Sequence, residues 1–233
     1  MKIHTTTTGE RFLYVFPLIL QTLIWIPMRI LLVIFVHFKV RGIDQLDRLP
    51  RSVIFAVNHQ SEWDPILVPA ALPFLSPLSP MFYTAREREF YEKKGIKSFF
   101  YGGTFFKIWG AYSVKVGVKN YERSLWQHIG ILEQMAGSIC FFPEGEKSKD
   151  GTLGAFKGGV SFLAHRTETT IVPVMISGVF GMKRKDFFLR HSHITVTFGK
   201  PIYPETLFEK RYYHPNEYKE IAGQICREYF KIQ

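Results

Sequence analysis

Hydrophobic positions in this chain fall into two regimes. From Phe12 to Phe38 the sequence is apolar almost throughout, interrupted by Pro17, Gln21, Pro27, Arg29 and His37. As one helix this run is about 40 Å long at roughly 1.5 Å per residue, more than the roughly 30 Å hydrocarbon core of a bilayer. A tilted span is therefore open to it. Pro27 and Arg29, however, divide the run into two pieces, each too short to cross alone. The expectation is a broken pair of helices lying in one leaflet, with a single span as the rival and a buried soluble helix third. No small-residue cleavage site follows, which speaks against a removed signal peptide. Lys39, Arg41, Arg48 and Arg51 crowd the C-terminal side of the run. By the positive-inside tendency they place the remaining domain on the cytoplasmic face of a membrane.

After Gly42 short apolar runs alternate with amphipathic ones. Strands are expected over 51–57, 112–116, 138–142, 171–177 and 193–198. Helices are expected from Asp64 to Leu72, with Asp64 as N-cap and Pro65 in the first turn, and over the charged stretch Arg86–Lys97. Further helices are expected over 121–135, closed by Gly137, over 158–167, and over 215–232. The last has Tyr218, Ile221, Ile225 and Tyr229 as its apolar stripe. Residues 73–83, with prolines at 73, 77 and 80, read as a loop, and Gly102-Gly103 as punctuation. This alternation predicts an α/β fold, a mostly parallel or mixed sheet covered by helices and preceded by an N-terminal membrane-binding helical segment. The expected division is 1–41 for the anchor and 42–233 for the globular domain.

Composition narrows the picture. The 233 residues are 46% hydrophobic and 21% charged, enough for one domain with a real core and too apolar for wholesale disorder. Two cysteines, Cys140 and Cys226, exclude a disulfide scaffold and a four-cysteine zinc site. The net charge of +10 calls for an anionic neighbour. Nucleic acid is not expected in that role, because the basic residues accompany an apolar anchor and no recognition motif is present. His191 and His193 are two apart but lack an evident third metal ligand. Lys183-Arg184-Lys185 with Arg190 forms a basic patch suited either to lipid head groups or to plain solvation.

Two short motifs carry chemistry. In Asn58-His59-Gln60-Ser61-Glu62-Trp63-Asp64, a histidine leaves a buried strand and a carboxylate follows at a helix start. A neutral imidazole can take a proton from a hydroxyl near neutral pH, and a carboxylate on its other nitrogen fixes the tautomer. At this spacing alone, a loop histidine and a capping aspartate are the commoner arrangement. The second motif, Phe141-Phe142-Pro143-Glu144-Gly145-Glu146-Lys147-Ser148, puts a glycine turn at the end of a buried strand, where ligands bind in open α/β sheets. Glu144 and Lys147 could there hold a polar head group, approached by backbone N–H groups near Gly145.

Together the motifs resemble the glycerolipid, or lysophosphatidate acyltransferase-like, family. Asn58, His59 and Asp64 match its Asn-His-x-x-x-x-Asp motif. Phe142, Pro143, Glu144, Gly145 and Ser148 match Phe-Pro-Glu-Gly-Thr-Arg-Ser. Phe156-Lys157-Gly158-Gly159 and Ile171-Val172-Pro173-Val174 resemble further stretches of the family in the right order. The resemblance implies transfer of an acyl chain from a thioester, on coenzyme A or acyl carrier protein, to a lysophospholipid hydroxyl, foremost 1-acylglycerol-3-phosphate. It implies His59 as general base and Asp64 as its orienting partner, with neither metal nor bound cofactor. It further implies that Asn58, Lys115, Glu144, Gly145 and Lys147 bind substrate.

The chain departs from the family pattern in two places. Glu146-Lys147 stands where the family has Thr-Arg, so the bidentate fork of arginine is lost. Val116 stands near an expected arginine, for which Lys115 substitutes only with a different side-chain direction. These changes leave another lysolipid acceptor, transacylation from a phospholipid, or a non-catalytic lipid-binding member of the fold as alternatives.

Overall fold

The computed structural model describes residues 8–86, 108–114 and 120–232. The expected helix after Arg86, the Gly102-Gly103 pair, Lys115 and Val116 lie outside the described residues.

Helix α1 (Thr8–Phe35) is one continuous helix of 28 residues, with both Pro17 and Pro27 inside it. The expected break at Pro27 is thus corrected. Proline removes one backbone donor and crowds the preceding turn, but α1 is anchored on both sides of Pro27. The Gln21 amide bridges to Met81, donating to its carbonyl and accepting from its N–H, both at 2.7 Å. Trp25 Nε1 donates to Leu72 O at 3.2 Å, and an Arg29 guanidinium N–H donates to Ala70 O at 2.6 Å. These three residues sit one turn apart on a single stripe. The other faces of α1 expose Val15, Ile19, Leu23, Ile26, Ile30, Val33 and Ile34.

The sheet comprises β1 (His37–Arg41), β2 (Ile54–Val57), β3 (Met81–Arg86), β4 (Ala111–Val114), β5 (Ser138–Phe141), β6 (Ile171–Ser177) and β7 (His193–Phe198). Among the described residues it has seven strands in the order β1-β7-β6-β2-β5-β3-β4. Every neighbouring pair is parallel except β6–β7. The expected α/β architecture is borne out. Two strands were not anticipated. β1 comes from the stretch assigned to the anchor, so the sheet begins before residue 42. β3 starts at Met81, inside the expected proline loop.

The remaining helices are α2 (Asp64–Ala71), α3 (Tyr121–Glu133), α4 (Gly159–Thr167), the short α5 (Arg184–Phe188) and α6 (Pro215–Phe230). α1, α2 and Phe187 of α5 cover one sheet face, where Phe55, Val57, Leu67, Cys140 and Val174 are buried. α3, α4 and α6 cover the other, with Ile54, Ala56, Leu125, Val160 and Ile225. The alternation along β2, Ile54 and Ala56 one way and Phe55 and Val57 the other, gives the central strand a core on both sides. The predicted stripe of α6 is buried throughout.

Candidate active site

β2 and β5 are adjacent and parallel, with Ile54 opposite Ile139. Both motifs therefore leave the sheet at the same edge, side by side. The chain after β2 turns to the α2 face, and the chain after β5 turns to the α4 face. This divergence opens the crevice in which α/β sheets bind ligands.

The junction is tied by main chain as well as side chains. His59 N–H donates to Glu144 Oε1 at 2.8 Å. Ser148 N–H donates to His59 O at 2.7 Å, and Gln60 Nε2 donates to Gly151 O at 2.9 Å. The His59 ring stacks on Phe142 with centroids 4.2 Å apart. The imidazole thus sits between the two motifs with backbone and ring both fixed.

His59 Nδ1 lies 2.9 Å from Asp64 Oδ2, with the histidine side chain 20% exposed and the aspartate fully buried. Asp64 also accepts from Gln60 N–H at 2.7 Å, Ser61 N–H at 2.8 Å and Ser61 Oγ at 2.6 Å. A carboxylate held this way accepts a hydrogen bond from Nδ1–H, the tautomer that leaves the lone pair on Nε2. Asp64 does not cap α2. The residue before the helix is Trp63, and no side-chain cap bond forms there. The carboxylate is turned back instead onto the 59–61 turn.

Asn58 is expected at the substrate, but its amide is spent within the sheet. Oδ1 accepts from Ile176 N–H at 2.7 Å and Nδ2 donates to Ile176 O at 2.9 Å. The side chain imitates a peptide group and extends the β2–β6 ladder by one rung. The Tyr229 hydroxyl of α6 lies against the carbonyls of Ala56 and Val174, clamping the same strands from below.

Glu144 is likewise internal. Its second oxygen accepts from Gly154 N–H at 2.7 Å, so both carboxylate oxygens hold main chain. Burial pushes its carboxyl above the ordinary value, and the His59 and Gly154 N–H bonds act against that rise. A Cβ on Gly154 would stand 3.0 Å from the carboxylate, so the glycine lets the backbone close onto it. Gly145 has φ +74, and the ammonium of Lys157 lies over it, 2.8 Å from where a Cβ would be. Lys147 is exposed and ion-paired with Glu62. The residues that sequence reasoning left without a role are Ser61, Phe142 and Lys157. Phe142 and Lys157 had a signal, the one in its match to the Phe-Pro-Glu-Gly motif and the other in its place in the Phe156–Gly159 stretch; Ser61 had none.

Among the described residues no cluster of three or more His, Cys, Asp or Glu could hold a metal ion. The arrangement supplies a carboxylate-oriented imidazole whose Nε2 makes no hydrogen bond among the described residues, with Lys147 in the neighbouring motif turn and Lys157 over its Gly145. Such a group can take a proton from a hydroxyl brought to Nε2.

A sequence model of the acyltransferase family matches residues 37–177, more than half of the chain. The chain belongs to the acyltransferase family. The matched stretch begins at β1 and ends with β6, so it contains both motifs and the sheet that positions them. Similar curated proteins are the chloroplastic 1-acyl-sn-glycerol-3-phosphate acyltransferases LPAT1 of Arabidopsis thaliana and BAT2 of Brassica napus. Each is 25% identical over 171 residues, covering 72% of this chain and 44% and 46% of theirs. A 1-acyl-sn-glycerol-3-phosphate acyltransferase of Limnanthes douglasii is 35% identical over 81 residues, 34% of this chain and 29% of its own. This chain therefore spans less than half the length of these plant acyltransferases. In fold it is similar to the 1-acyl-sn-glycerophosphate acyltransferase PlsC of Thermotoga maritima. The TM-score is 0.58 at 20% identity, with 88% of this chain and 76% of that one covered.

Proposed function

We propose that this chain is a membrane-associated O-acyltransferase that moves an acyl group from a thioester to the free hydroxyl of a lysophospholipid, with 1-acylglycerol-3-phosphate as the acceptor. The observation that carries the chemistry is the His59–Asp64 pair, 2.9 Å apart, with Nε2 left open. The names of the relatives supply the acceptor class.

In this mechanism His59 Nε2 takes the acceptor's hydroxyl proton while the oxygen attacks the thioester carbonyl. Asp64 stabilises the imidazolium that results. The tetrahedral intermediate expels the thiolate, which recovers the proton from His59 as the new ester forms. No acyl-enzyme and no metal take part. Coenzyme A and acyl carrier protein both present an acyl thioester, and both are suitable donors. Lys147 and Lys157 meet the acceptor's phosphate, while Glu144 and Asn58 hold the frame.

The membrane is met by α1. Gln21, Trp25 and Arg29 bind carbonyls of the domain on three successive turns, and the opposite faces are apolar. A helix held along its length in this way lies in the plane of the interface instead of crossing alone. The basic stretch after it, Lys39 to Arg51, favours the cytoplasmic leaflet.

The test is acyl transfer by the purified protein in lipid, with acyl-coenzyme A and acyl carrier protein donors and with phosphate-bearing and neutral lysolipid acceptors. Wild-type transfer to lysophosphatidate is expected, and His59→Ala is expected to lose at least a thousand-fold while folding normally. Near-normal turnover by His59→Ala would sink the proposed base. Transfer only from a phospholipid donor would establish transacylation instead. For the acceptor phosphate, Lys147→Ala should raise acceptor KM several-fold with little change in kcat. Glu62→Gln should lower KM, since it frees the lysine from an exposed pair that contributes only about 0–1 kcal/mol. Equal effects of Lys147→Ala on phosphate-free acceptors would remove that role.

A further inference from the structure

The loop around α5 is not used by the chemistry above, yet it is built unlike an ordinary solvated turn. Phe188 is 63% exposed, Leu189 62% and Phe180 45%. Between and beside them Lys183, Lys185 and Arg190 are exposed as well. Among the described residues none of these three cations makes an ion pair. The segment's acid, Asp186, is half-buried and accepts from Lys183 N–H at 3.1 Å, closing the first turn of the helix. Bulky apolar groups interleaved with unpaired cations form the surface that an anionic interface recognises.

The patch is continuous with the membrane-facing helix. Phe35, the last residue of α1, stacks on Phe187 at 5.6 Å and meets Phe188 edge-on at 5.5 Å. Phe187 also stacks on Trp63 at 5.4 Å and 10°. Trp63 directly precedes Asp64, so one aromatic row joins α1, α5 and the catalytic turn. At the adjoining sheet edge His37 and His193 stack at 4.4 Å. Partial desolvation, followed by the neighbours His193, Arg190 and Lys39, holds His37 below the ordinary imidazole value.

We propose that Phe180–Arg190 is a second membrane contact, selective for anionic lipid, seated beside the active site. This rests on α1 being the first contact. The occupant is a bilayer surface and not an acidic carrier protein, because three large apolar groups are presented outward and run on into the apolar face of α1. The contact would hold the crevice at the lipid surface from which a lysophospholipid enters.

The experiment uses the full-length protein with an environment-sensitive nitrobenzoxadiazole label at Leu189→Cys in a Cys226→Ser background. It is mixed with phosphatidylcholine vesicles, and with vesicles of phosphatidylcholine and phosphatidylglycerol at two to one. Flotation is expected with both, but a blue shift and a several-fold rise in emission only with the anionic vesicles, reversed by high salt. Each basic residue near such a surface contributes about five-fold in binding. The triple variant Lys183→Gln, Lys185→Gln, Arg190→Gln should therefore bind anionic vesicles about a hundred-fold more weakly, with an unchanged melting midpoint. Flotation without any label response, or unchanged affinity in the triple variant, would overturn the second contact alone. A response to purified acyl carrier protein but not to vesicles would overturn it in favour of protein docking. Failure to float with any vesicle would overturn the membrane role of α1 and this proposal together. None of these readouts requires turnover, so failure of the proposed reaction is read separately.

Discussion

Glu144 is a carboxylate whose two oxygens each hold one backbone N–H, of His59 and of Gly154. A glutamine there can satisfy one N–H and must turn its own NH2 toward the other. Glu144→Gln should therefore lower kcat about ten-fold or more, in line with about 1–3 kcal/mol for a buried donor left unpaired, with acceptor KM little changed. A residue that bound the head group would give the opposite split, which steady-state kinetics against acceptor concentration resolves. The His59–Asp64 contact was legible only through the family resemblance, since spacing alone favoured a loop histidine and a helix cap, although a short turn lets the two meet without long-range assembly. The roles of Asn58 and Glu144 were not. Both have a partner far along the chain, Ile176 for the one and His59 for the other, and a linear pattern does not show which polar atoms are already taken. Asp64 misled for a related reason: an aspartate before proline carries the usual signature of a helix cap, but the donors of the 59–61 turn claim its oxygens.

At the level of elements, the strands and helices with clean periodicity were readable: β6 and β7 at their full bounds, and α3, α4 and α6 within a few residues. β1 was hidden because His37, Lys39 and Arg41 alternate with half-buried Phe38 and Val40, and its cations read equally well as the basic flank of an anchor. β3 was hidden by the prolines that precede it. Continuity of α1 through Pro27 was beyond local sequence, since tertiary bonds on both sides of the proline set it. Arg29 is the informative position. Its guanidinium binds Ala70 O near the C-terminal end of α2, where the helix dipole is negative, and lies over the rings of Trp25 at 5.9 Å and Phe38 at 5.0 Å. Arg29→Leu makes α1 more apolar yet should lower stability by about 1–3 kcal/mol, seen as a drop in the melting midpoint in detergent. A purely lipid-facing residue would show no drop.

On the scale of the molecule, the face covered by α3 carries an acid-sensitive point. His128 is fully buried, its Nε2 lies 3.3 Å from Tyr83 O, and its Nδ1 has no partner among the described residues. Burial lowers its pKa from 6.5 to about 4. Above the unfolded value the residue is neutral in both states. As the pH falls from there, the unfolded chain takes a proton that the native fold refuses. Stability should then drop by about 1.4 kcal/mol per pH unit until the folded value is reached. Denaturant midpoints measured across that window should show the slope, and His128→Phe should flatten it by about one proton. A larger consequence lies where α1 ends. Only Val36 separates Phe35 from the first residue of β1, and β1 is hydrogen-bonded into the sheet beside β7. The helix is therefore not joined to the sheet by a tether. One residue of chain and the bonds of Gln21, Trp25 and Arg29 tie α1 to the sheet domain, so in the proposed function His59 would stand at a set height above the plane in which α1 lies. In the proposed function, the depth at which an acceptor presents its free hydroxyl would then become a criterion of selection, read like a gauge.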